Sequence, residues 1–300
     1  MEQIKIRLSQ GLTSYQIKML AVILMTIDHL GAYGFEIPIF STYNYQLRLI
    51  GRLAMPLFLF CLTESIRHTR SRSRFLLRLY LGAVGTGVFT AVTNFLFDGT
   101  VGHFSLNNIF YTYLYVAVYV TLIEKILEAV KTRDWKKGIL GAAGIGATVI
   151  PHFLSMALLS IPFMDYGLDW NVSMLLKELM ESLIMGPWMV EYTLLFVIMG
   201  VVMYFAGNKY GKAFVLVCFS LLCHFVVMGE GAFWDWVNYR TPFHMVFGSL
   251  QSKMILAVPI MLLYNGKKGK SRKWFFYWYY PVHRYVISVV VYLYLVFWGT

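Results

Sequence analysis

A carboxylic acid and an imidazole stand side by side at Asp28-His29, within KMLAVILMTIDHLGAYG (residues 18–34), a stretch otherwise apolar enough to enter a bilayer. An ionisable group at bilayer depth costs several kcal/mol unless it is paired or hydrated, so each one asks for a function. The others in apolar runs are Arg48, Arg52, His224, Lys253 and His283. His29 follows Lys18 by eleven residues. On a helix that places it about 16 Å deeper and within about 20° of the same direction, with the lysine at one mouth and the imidazole near midplane. Arg52 lies about 20 Å inside its own apolar run, with Arg48 one turn farther on the same face. An imidazole and two guanidiniums therefore reach one level. Imidazole, with an ordinary pKa of about 6.5, accepts a proton from an amine or hydroxyl at neutral pH. A guanidinium stabilises a developing oxyanion. The candidate catalytic residues are His29, Asp28, Arg52 and Arg48. Neighbours on a helix point about 100° apart, so Asp28 and His29 need not touch. Asp28 either joins the chemistry or holds an arginine as a buried ion pair.

Long apolar runs must carry these residues. The chain has 300 residues, of which 58% are hydrophobic and 14% charged, against about 25% charged in soluble domains. The expected fold is all-α and integral to the membrane, one polytopic bundle of about nine helices. The spans fall near 17–35, 46–66, 76–97, 108–130, 138–160, 187–206, 213–232, 243–264 and 275–298. The net charge of +11 points to topology rather than nucleic acid, because the basic residues collect in alternate loops. Arg67–Arg78, Lys131–Lys137, Lys209 and Lys212, Lys267–Lys273, with Lys5, Arg7 and Lys18, place 19 of 26 on one side. Lys177 and Arg240 lie on the other. The positive-inside rule puts the N-terminus in the cytoplasm. The first apolar run follows a polar segment and reads as a retained anchor. Residues 161–186 form an extracytoplasmic segment whose stretch 173–185 is an amphipathic helix too short to cross, laid as a lid on the outer surface. Span eight crosses only with Gln251 and Lys253 inside it; these two and Asn108, at the opening of span four, are further buried polar candidates for substrate contact. Trp274–Tyr280 form an aromatic belt at the cytoplasmic face. Cys61, Cys218 and Cys223 lie in apolar runs without disulfide or zinc spacing.

Four stretches, LTSYQIKMLAVILMTIDHLG, LRLIGRLAMPLFLFCLTESIRHTRSRSRFLLRL, LNNIFYTY and LYNGKKGKSRKWFFYWYYPVH, resemble the TraX family in order and spacing. TraX proteins are integral-membrane acetyltransferases named for the one that N-acetylates F-type pilin. The resemblance implies a multi-pass protein of a bacterial cell membrane that moves an acetyl group from cytoplasmic acetyl-CoA, without a metal, to a peptide, glycan or lipid acceptor. The Lys18-to-His29 spacing is also similar to a pattern in membrane acyltransferases that O-acetylate surface sugars, where the histidine is taken as the base. Phosphates of coenzyme A need arginine or lysine at a cytoplasmic mouth. Lys18, Arg70, Arg74 and Arg78 are the candidates, and the 267–273 loop carries further cations. His283, two residues after Pro281, is expected along the donor's pantetheine arm. The competing class is a proton-coupled transporter or flippase using the same buried charges, and acetyl-CoA separates the two, since a transporter ignores it.

Overall fold

The computed structural model describes residues 10–97, 106–227 and 250–298. Its elements are helical: α1 Ser14–Tyr33, α2 Pro38–Thr42, α3 Asn44–Gly51, α4 Ala54–Arg67, α5 Arg72–Phe97, α6 Ile109–Thr132, α7 Trp135–Ala147, α8 Ile150–Leu159, α9 Trp170–Leu183, α10 Thr193–Phe205, α11 Lys209–Leu222, α12 Val258–Leu262 and α13 Lys273–Trp298. Tighter or wider turns occupy Phe163–Tyr166, Cys223–Val227 and Leu250–Ala257. Among the described residues the one departure from helix and loop is an isolated bridge between Leu12 and Tyr264. Among the described residues four stretches are long and apolar enough to cross a membrane: Asn44–Arg67, Arg72–Phe97, Trp135–Leu159 and Trp274–Trp298. Thr193–Phe205 and Leu250–Leu262 are apolar but shorter. Of the expected spans, 213–232 is described to Val227 and 243–264 from Leu250; their remainders, with Lys5, Arg7 and Arg240, lie outside the described residues.

The chain forms two compact units. The first holds residues 1–65, 202–273 and 297–300. Its α1 opens on a capping box, in which Thr13 Oγ1 accepts from Gln16 N at 3.3 Å and Gln16 Oε1 accepts from Thr13 N at 2.8 Å. Two donors that a helix start leaves unpaired are thereby used. The apolar run 44–67 is broken at Arg52-Leu53, between α3 and α4. Pro56 has no N–H to give the Arg52 carbonyl, which is why the ladder stops there. Helices α1 and α3 pack together, and α11 packs on Leu250–Ala257 and α12.

The second unit holds residues 66–201 and 274–296. Here α6 packs on α5 and α7, and α9 lies along α5. The aromatic belt anchors α13, with Tyr277 stacked on Phe110 at 5.2 Å and filling the space above Gly82. Helix α9 is short, about 21 Å, and turns its polar side inward. Ser173, Glu178 and Ser182 are buried while Trp170 and Leu183 are exposed. Asn94 Nδ2 donates to Glu178 Oε1 at 3.0 Å. The Tyr111 and Tyr115 hydroxyls take the carbonyls of Ser182 and Met185 at the helix's end, at 2.9 and 2.7 Å.

Candidate active site

The first unit brings several buried charges together. Asp28 and His29 are adjacent on α1, and both are buried, at 4% and 6% exposure. Asp28 meets both arginines. Arg48 Nη1 is 2.7 Å from Asp28 Oδ2 and also reaches the Asp28 carbonyl at 3.4 Å. Arg52 Nη2 approaches the other carboxylate oxygen at 3.8 Å, and its Nη1 donates to Gln251 Oε1 at 3.2 Å. Gln251 is itself buried, with Nε2 against Met254 Sδ at 3.6 Å. The expected Asp28, Arg48, Arg52 and Gln251 thus form one cluster from three elements.

Small residues let that cluster close. A Cβ at Gly51 would overlap the Asp28 side chain, and one at Gly31 would press on Leu47 and Arg48. Asn44 Nδ2 donates to the Gly31 carbonyl, pinning the start of α3 to α1. The two arginines differ in what they have left to give. Arg48 is engaged by a short contact with the carboxylate. Arg52 has a loose one, and its Nε is buried without a hydrogen-bond partner among the described residues. The His29 ring packs edge-on to Tyr33 at 5.4 Å, one helical turn on.

Lys18 is half-buried on α1 with Nζ 3.3 Å from Ser65 Oγ. Lys253 is half-buried in the tight turn that supplies Gln251. The remaining expected residues belong to the second unit. Arg70 and Arg74 are exposed and Arg78 is half-buried. His283 is buried on α13, with Nδ1 2.8 Å from the Tyr279 carbonyl and its ring stacked on Tyr279. Asn108 caps α6, accepting from Tyr111 N and donating to the Ala83 and Leu106 carbonyls, each at 3.3 Å. Those bonds occupy it locally.

Sequence reasoning missed a second polar cluster in the first unit. Lys212 has no exposed surface. Its ammonium contacts Glu64 Oε1, takes Thr63 Oγ1 at 2.9 Å and lies 5.2 Å above the Phe60 ring. Tyr264 donates to the other Glu64 oxygen at 3.5 Å. Arg284, beside His283, is a further buried charge. Lys212 is the fourth residue of a capped helix, with Asn208 Oδ1 accepting from Gly211 N, so it lies inside that helix and not in the loop before it, where sequence reasoning placed it.

A family model described as TraX protein matches residues 13–291, from the capping box of α1 to the middle of α13. The chain belongs to the TraX family. No curated protein and no solved structure matches it at a significant level. The TraX match takes in both units, so the buried clamp of Asp28, Arg48 and Arg52 lies within the family's own region. Membership of TraX and the apolar helices together make this a membrane protein.

Proposed function

We propose that this TraX protein is a membrane-embedded acetyltransferase that takes an acetyl group from cytoplasmic acetyl-CoA and gives it to an amine or hydroxyl of an extracytoplasmic or membrane-associated peptide, glycan or lipid. One observation carries the reading: a buried imidazole adjoins a carboxylate that gathers two guanidiniums, one of which keeps a donor edge unused. In the proposed step His29 takes the proton from the acceptor as its nitrogen or oxygen bonds to the thioester carbonyl carbon. Charge builds on the carbonyl oxygen, and Arg52, with Nε unused, is the group suited to meet it. The C–S bond then breaks, and the thiolate leaves with the proton from the imidazolium. Asp28 and Arg48 position Arg52 and stay out of the transfer. Burial strengthens these charge interactions, and exclusion of water protects the thioester. Coenzyme A supplies phosphates at the far end of a long arm. Lys18, on the His29 helix and half-buried, is a cation of the kind those phosphates need.

The test is His29→Ala in the purified protein supplied with acetyl-CoA. Acetyl transfer, or the slow hydrolysis that stands in for it when the acceptor is missing, should fall by about 10²–10⁴-fold with thermal stability kept. A variant keeping more than about a tenth of the wild-type rate is incompatible with a general base at this position. A wild-type protein that neither binds nor consumes acetyl-CoA would put a transporter or flippase in its place.

A further inference from the structure

The clamp serves the reacting end of an acyl donor, and for its phosphates it leaves only Lys18 in the first unit. Basic loops of membrane proteins ordinarily serve as topology signals, and that role asks for charge without a fixed backbone. The segment 263–268 has a fixed backbone. Leu12 N donates to the Leu263 carbonyl at 2.7 Å and Asn265 N to the Leu12 carbonyl at 3.0 Å. Ser14 N and Tyr15 N donate to the carbonyls of Lys267 and Lys268 at 2.9 and 3.0 Å. Those last two are first-turn amides of α1, which have no partner inside their own helix. Asn265 braces the turn on both sides, giving Nδ2 to the Gln10 carbonyl and taking Lys267 N, each at 3.0 Å. Gly266 and Gly269 stand at φ +77° and +73°, and a Cβ at Gly269 would come within 2.6 Å of Thr13 Oγ1. Lys209 Nζ ties the base of the strap through the carbonyls of Leu262 and Tyr264, at 2.8 and 3.0 Å.

With its carbonyls turned toward α1, the strap leaves its cations outside. Lys267, Lys268, Lys270 and Arg272 are all exposed. None has a side-chain hydrogen bond or ion pair among the described residues, and the amides of Lys268, Gly269 and Lys270 donate to no described group. Four cations and three amides without partners among the described residues, on a loop turned by two left-handed glycines, are the elements of an oxyanion seat. Lys18 lies one helical turn beyond Ser14, the residue the strap caps.

We infer that the strap 265–272 is a phosphate-binding site. The inference rests on the acetyl-transfer reading for one of its two phosphate sources, the terminal phosphate and diphosphate of coenzyme A. Anionic lipid headgroups offer the same chemistry. The experiment uses the full chain in phosphatidylcholine nanodiscs and compares wild type with Lys267→Gln/Lys268→Gln/Lys270→Gln. Because all three side chains are exposed, the variant should melt with the wild type; Arg272→Gln alone provides a milder second variant. Coenzyme A should bind at least about tenfold more weakly to the triple variant, and the preference over dephospho-coenzyme A should vanish with it. The wild-type affinity should weaken with salt more steeply than the variant's. In a second arm, discs containing phosphatidylglycerol are purified and their retained lipid is weighed. Loss of that lipid in the triple variant, with coenzyme A affinity unchanged, keeps the strap and assigns it to headgroups. A variant matching the wild type within about twofold in both arms overturns the site. A strap that binds phosphate in a protein never found to consume acetyl-CoA would stand while the acetyltransferase reading falls, so the two fail separately.

Discussion

Gly51 lies so close to Asp28 that a Cβ at position 51 would overlap the aspartate's own Cβ and carboxylate. That closeness sets where α3 crosses α1, and the crossing carries Arg48 to the carboxylate. Gly51→Ala should therefore cost about 1–3 kcal/mol by overpacking and abolish acetyl transfer by displacing the clamp. Gly85→Ala is the control, since a Cβ there meets nothing within 4 Å; it should leave the melting temperature unchanged or slightly raised. Thermal unfolding of both in one detergent decides. Equal melting of the Gly51 variant and the wild type would contradict the packing described.

The two arginines should separate in kinetics and stability. Arg48 is held by the short contact with Asp28, so Arg48→Met leaves a buried carboxylate poorly compensated and should destabilise the protein by about 3–5 kcal/mol. Arg52 makes the looser contact and keeps Nε unused. Arg52→Met should lower kcat by about 10²–10³-fold, the cost of losing an oxyanion donor, with a smaller loss of stability. Unfolding curves and steady-state rates on both proteins provide the comparison. Exchange of the two phenotypes would reassign the oxyanion donor to Arg48.

Much of this site was legible in the sequence. Helix arithmetic put His29, Arg48 and Arg52 at one level, and the cost of charge in an apolar run made holding an arginine one of two roles open to Asp28, the one seen in its contacts with Arg48 and Arg52. The break at Arg52-Leu53 was not read: the expected span 46–66 is continuous, and the helix is interrupted there before Pro56. Lys212 was not legible on those terms. It reads as one more loop cation after Lys209, and its burial depends on Glu64, 148 residues earlier in the chain. The orientation of α9 was hidden for a related reason. Its leucines and its acids lie on opposite sides whichever side faces in, and the choice is made by Asn94 and Gly87 on α5.

Lys212 and Glu64 should behave as a coupled pair. Removing either alone strands the other in the interior, at a cost of about 3–5 kcal/mol for a buried partner. Lys212→Met combined with Glu64→Gln should cost much less than the sum of the single changes, with an interaction energy of about 0.5–3 kcal/mol. A double-mutant cycle by chemical or thermal unfolding measures this directly. Additive losses would mean that the two side chains do not contact in the folded protein.

Glu181 gives the second unit a pH dependence of definite sign. It lies on α9, which is too short to span the membrane, three residues after Glu178. Burial first, and the neighbouring Glu178 carboxylate second, push its carboxyl above the ordinary value of 4.5. A carboxyl raised in this way holds its proton more tightly in the folded chain than in the unfolded one. Its contribution to stability is then fully present below the ordinary value and is lost as pH rises through the raised one. Glu181→Gln, which keeps the shape and cannot ionise, should match the wild type at pH about 4. Above the raised value it should be the more stable of the two, and the difference should stop growing once the wild-type carboxyl is fully ionised. Melting temperatures at half-unit steps from about pH 4 to pH 8 test the sign, since groups common to both proteins cancel in the comparison. A difference that shrinks with rising pH would place the Glu181 carboxyl below its ordinary value and remove Glu178 as its neighbour.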